Sequence, residues 1–159
     1  MDKILFNCSS GLRLSADQVV REIIGFMKAD NKKRYRITIG TDSELLSDKQ
    51  ADFVTAIVVY RIGNGGRYFW RQFKTGKFHT LRDRIIKEVV TSLDVAKELL
   101  GILKTMEVDF DFEIHADIGE GGPSKDMIQE VVGMIRAYNF EAITKPGSYA
   151  ASNVADRHI

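Results

Sequence analysis

One cysteine, Cys8, is all the thiol in these 159 residues. It excludes an internal disulfide and any all-cysteine metal site, and an ordinary reduced thiol is the expectation. No stretch has the Pro, Gly or Ser density of a linker, and neither repeats nor low-complexity tracts interrupt the chain. No apolar run approaches the length of a membrane span, so no membrane partner is expected. The start, Met1 to Asn7, lacks the long apolar region of a signal peptide, which makes cytoplasmic residence the default. An excess of one charge is missing too. Lys and Arg total 23 against 22 Asp and Glu, a net charge of +1, so a nucleic-acid partner must be argued from local charge. Gly119-Glu120-Gly121-Gly122 lacks the Gly-Lys-Ser/Thr ending of a phosphate-binding P-loop, and no dinucleotide fingerprint follows a first strand.

What is present reads as one α/β domain over residues 1–159, with 44% hydrophobic and 28% charged residues. Ser15-Ala16-Asp17-Gln18 has the form of a capping box, and Val19, Val20, Ile23, Ile24 and Met27 follow at helical spacing, giving a helix over about 15–30. Three strands come next: Tyr35 to Asp42, Phe53 to Arg61, and Arg67 to Phe73 after the turn Gly63-Asn64-Gly65-Gly66. A long helix from about Thr80 to Lys104 carries the stripe Ile85, Val89, Leu93, Ala96, Leu100 and Leu103. A strand from Phe110 to Asp117, a helix opening at Pro123 and Ser124, a short strand from Phe140 to Thr144 and a terminal helix near Ser148 complete the order. An antiparallel meander followed by crossover helices implies a mixed five-stranded sheet with helices on both faces.

Asp42 and Asp117 each close an apolar run, and Asp156 lies in the C-terminal segment. If the two runs are neighbouring parallel strands, their carboxylates meet at one sheet edge. Clustered carboxylates repel unless a cation lies between them, and hard divalent ions favour oxygen ligands. The pattern suggests a metal site and, by extension, phosphoryl-transfer chemistry. Each Asp taken alone is better explained as a turn cap or a solvated helix residue; only together with the fold do they favour a site.

The element order resembles the ribonuclease H-like fold. Three segments carry a closer resemblance to the uncharacterised YkuK family of ribonuclease H-related proteins: Ile39-Gly40-Thr41-Asp42-Ser43, His115-Ala116-Asp117-Ile118-Gly119 with Gly122-Pro123-Ser124, and Lys145-Pro146-Gly147-Ser148 running on to Asp156. The resemblance implies a nuclease in which acidic residues of the first strand, first long helix, fourth strand and last helix hold two divalent ions, Mg²⁺ or Mn²⁺. Asp42, Asp117 and Asp156 match three of these positions. For the helix position, Glu98 lies ~15 Å beyond Glu88 at ~1.5 Å per residue, too remote. Glu88 is the choice, with Asp83 as the alternative, although an acidic residue in a first helical turn also complements the helix dipole.

Other candidates have weaker claims. His115 shares a strand face with Asp117 and reads either as a site residue or as packed core, the second being commoner. His79 and His158 are lone histidines near the expected edge. Arg61, Arg67, Arg71, Lys74, Lys77, Arg82 and Arg84 interleave with Tyr68, Phe69, Trp70 and Phe73, which is a nucleic-acid-binding composition, although strand alternation must turn part of it inward. Arg67, Arg71, Lys74, Lys77 and Lys145 are the expected contacts to RNA, DNA or hybrid. Ser148 is an expected N-cap, and the glycines 119–122 fit an ordinary turn better than a phosphate cradle. The rival reading is a non-catalytic binding module on the same fold.

Overall fold

The computed structural model describes residues 5–159, so the leader reading of Met1 to Ile4 lies outside the described residues. A mixed sheet forms the centre of the molecule. Its core strands are β3 (Tyr35–Leu45), β4 (Ala51–Arg61), β5 (Gly66–Thr75), β6 (Asp111–Ala116) and β7 (Glu141–Ile143), and two short strands, β1 (Phe6–Cys8) and β2 (Arg13–Leu14), extend it beyond β5. The order across the sheet is β2-β1-β5-β4-β3-β6-β7. The expected count of five is therefore corrected to seven. Strands of three and two residues are too short to show a period-two pattern, and they form because a hairpin can pair with the free edge of β5.

The meander β3-β4-β5 is antiparallel, while β6 runs parallel to both β3 and β7. Gly63 and Gly65 take positive φ in the β4–β5 turn, where Arg61 N–H donates to Gly65 O. Pairing Gly40 with His115 and Thr41 with Ala116 brings Asp42 and Asp117 to the same end of neighbouring strands.

One face is covered by α1 (Ala16–Ala29), α2 (Leu81–Leu103) and α3 (Ile128–Ala137). The Ser15 capping box opens α1, whose Val19, Val20, Ile23 and Met27 are buried. In α2, Ile85, Val89, Leu93, Ala96, Leu99 and Leu103 pack into the same core as Ile37, Ile39, Ile57 and Ile114 of the strands. Ala150–Ala155, a wide π-type turn continued by a tight turn at Asp156–His158, covers the other face. Gly40 makes that contact possible: a β-carbon there would lie 2.4 Å from Ala151 N and 2.8 Å from Ala150 C.

Candidate active site

Two neighbouring polar contacts set the register between β3 and α2. Thr41 Oγ1 lies 2.7 Å from Ser92 Oγ and 2.9 Å from Thr55 Oγ1, all buried. Two residues further along β3, the Ser43 hydroxyl donates to Glu88 Oε2. The match is geometric, because two strand residues advance ~6.7 Å and four helical residues ~6 Å. Arg84, one turn before Glu88, donates from Nη1 to Ser43 O at 2.8 Å and to Ser43 Oγ at 3.2 Å, so the hydroxyl points its proton at the carboxylate. Asp83, the alternative helix residue, is exposed at the first turn, with its N–H capped by Thr80 Oγ1. Glu88 is the one that lies among the strand aspartates.

Asp42 is nearly buried and accepts from Ser43 N–H at 2.9 Å. Burial first, then the charge of Asp117 and contact with Asp156, push its carboxyl up to about 8. Glu88 is also pushed up to about 8, mainly by burial, with Asp42 and Asp117 adding repulsion and Ser43 and Arg84 opposing it. Asp117, just past β6, accepts from Ser152 Oγ at 2.7 Å and pairs with Lys145 Nζ at 3.2 Å. Asp156 is exposed on the C-terminal turn above Asp42. Among the described residues, no three His, Cys, Asp or Glu side chains already converge on a common metal position.

A cleft of about 800 Å³ opens at this edge. Asp42, Glu88 and Asp117 line it together with Arg84 and Lys145, and Leu81, Ile85 and Ile128 form an apolar wall. Gly119 to Gly122 border it as well; a β-carbon on Gly119 would crowd Lys145 Cβ at 2.9 Å, so the glycine lets the lysine stem lie across the loop.

His115 is buried, and the packed reading is the one its contacts support. Nδ1 accepts from Ala150 N–H at 3.1 Å, which leaves Nε2 to donate to Glu113 Oε1 at 3.1 Å. Burial lowers its pKa and favours this neutral form. The imidazole does the capping expected of Ser148, whose hydroxyl instead meets Ser152 Oγ at 2.8 Å. His79 is exposed beside α2, and His158 stacks on Trp70 with centroids 3.9 Å apart.

The five expected nucleic-acid contacts divide. Lys145 is in the cleft, and exposed Lys74 and Lys77 lie where β5 and the segment after it approach the same edge. Arg71 is turned inward, 8% exposed, with its guanidinium 4.9 Å from the Phe6 ring and 4.0 Å from Glu98. Its neighbours on that face of β5 are core, so alternation makes it a packing residue. Arg67 sits at the opposite end of the sheet, its guanidinium over Phe26. Ser43 and Ser152 were missed as site residues, and Arg84 was expected only as part of the basic cluster. Ser43 adjoins Asp42 and Ser152 precedes Asp156 by one helical turn, but hydroxyls beside acids are too common in sequence to stand out.

A mixed sheet whose parallel pair carries two aspartates to one edge, facing a helix glutamate, defines a ribonuclease H-like protein. Residues 18–159 match the family described as ribonuclease H-like, and the chain belongs to it. It is similar to the uncharacterized protein YkuK of Bacillus subtilis (strain 168), with 32% identity covering 98% of this chain and 97% of that protein. The expected family resemblance is thus borne out. No solved structure matches the chain.

Proposed function

We propose that the chain is a divalent-metal-dependent nuclease that hydrolyses nucleic-acid phosphodiester bonds at the Asp42–Glu88–Asp117–Asp156 edge. The observation that carries this reading is the gathering of Asp42, Glu88 and Asp117 in one cleft that also bears Arg84 and Lys145; burial first, then Asp117 and Asp156, hold the Asp42 carboxyl up near 8 there. Carboxylates so placed supply only hard oxygen donors, and their repulsion is relieved by a divalent cation, so the residues fit Mg²⁺ or Mn²⁺. Asp42, Glu88, Asp117 and Asp156 would hold it. Such an ion would supply Lewis-acid polarisation of a phosphodiester and a more acidic bound water.

The protein's own groups have separate tasks. Ser43 and Arg84 fix the rotamer of Glu88, Ser152 orients Asp117, and Arg84 and Lys145 draw phosphate oxygens into the cleft. Lys145, paired with Asp117 at the cleft, is placed to meet a substrate phosphate oxygen as well. RNA, DNA and hybrid all present this phosphodiester.

Labelled single-stranded, duplex and hybrid substrates should be cut with Mn²⁺ or Mg²⁺ and not with EDTA. Asp117→Asn should lower the rate at least a hundredfold while the fold persists by circular dichroism. One observation favours the rival binding module: Lys145 already supplies a cation to Asp117. Binding without cutting on every substrate, by a folded protein, would establish that rival.

A further inference from the structure

A second cleft lies on the same sheet face as Asp42, at the other end of the strands. Arg36 pairs with Tyr60 six residues before Asp42 on β3, so the two clefts are ~20 Å apart along the strand. This one encloses about 520 Å³ and is walled by Tyr60, Tyr68, Tyr149, Val58 and Val154, with Arg36 at its border.

Its walls are held in place by packing outside the cleft. Tyr68 stacks on Trp70, 5.5 Å between centroids, and Trp70 is backed in turn by His158. Tyr149 meets His115 edge-on at 4.5 Å. Tyr60 accepts from Gly63 N–H at 3.4 Å. The aromatic surfaces are thus pre-set, which lowers the entropic cost of seating a flat ligand between them. Polar capacity is left over at the same place. The Arg36 side chain is 35% exposed, and its ion pair is loose: Nε lies 3.8 Å from Glu113 Oε1, which already accepts from His115.

We propose that this cleft binds a nucleobase of single-stranded nucleic acid, with Arg36 facing the adjoining phosphate. Every base has a π-face for the tyrosines, and the strand's negative charge complements the partly exposed, loosely paired guanidinium. The inference takes from the proposed function only that nucleic acid is the ligand, and it does not need the carboxylate edge to be catalytic.

The test is an NMR titration of the wild-type chain in EDTA with AMP, UMP and a single-stranded hexanucleotide. Amide shifts should centre on Gly65, Gly66, Tyr68, Tyr149 and Val154. Tyr68→Leu and Arg36→Gln should each weaken hexanucleotide binding about tenfold, the scale of one lost stacked base. Shifts confined to the Asp42 and Asp117 cleft would overturn the site, as would equal binding of indole and AMP. The wild-type titration decides even if a variant fails to fold. Shifts here without metal-dependent cutting would leave this site standing and remove the nuclease; cutting without these shifts would do the reverse.

Discussion

Asp42 shows how a single side chain can carry opposed demands on stability and function. Its carboxyl and that of Glu88 are raised from ordinary values of 3.8 and 4.5 to about 8, so the folded chain holds protons that the unfolded chain releases. Stability from this source is full below about pH 4 and is lost as pH rises towards about 8. In EDTA, the melting temperature should therefore fall between pH 5 and pH 8.5. Asp42→Asn should flatten the fall, and Mn²⁺ at pH 8.5 should raise the wild type more than the variant. A flat profile for the wild type would remove the crowding from the argument. Arg71 behaves differently. Because it covers Phe6 and faces inward, Arg71→Ala should lower stability by about 1–3 kcal/mol in chemical denaturation, with little change in nucleic-acid affinity.

At the scale of elements, the C-terminal segment decides whether Asp156 reaches the other acids. It rests against β3 at Gly40, where Ala150 and Ala151 leave no room for a side chain. It is also pinned by the Ala150 N–H to His115 bond and by Ser152 to Asp117. Gly40→Ala should push the segment away, cost about 1–3 kcal/mol, and lower any metal-dependent activity by more than its loss of stability explains. Thermal melts and turnover measured on the same preparation check this; unchanged activity would show that Asp156 is dispensable. The link between α2 and β3 through Thr41–Ser92 and Ser43–Glu88 explains why Glu88 rather than Asp83 enters the site.

For the whole molecule, a net charge of +1 means that attraction to a polyanion must come from placement. Exposed Lys145 lines the cleft and exposed Lys74 and Lys77 lie at the same end of the sheet, whereas Arg67 lies at the far end beside the aromatic cleft. Neutralising Lys74 and Lys77 together should reduce the slope of log affinity against log salt by ~1.4 for single strands, ~0.7 per lost phosphate contact. An unchanged slope, measured by fluorescence anisotropy, would take this edge out of the binding path. No helix among the described residues is long and apolar enough to cross a membrane.

Much of this arrangement was legible in the sequence because it is written in local signals. The Ser15 capping box, the glycine turn before Arg67, the stripe of α2 and the acids closing two apolar runs each act over a few residues, where propensity and periodicity apply. Those signals determined the element order and which aspartates could meet. Contacts between residues far apart in the chain were decided only by tertiary structure. The β1–β2 hairpin exists because β5 offers an unpaired edge, Arg71 turned inward because of strand phase, and His115 became a cap because folding set it beneath Ala150. Glycine at position 40 reads as a neutral strand residue until the C-terminal backbone is laid across it. Such choices depend on where other segments pack, which no stretch of the chain encodes alone.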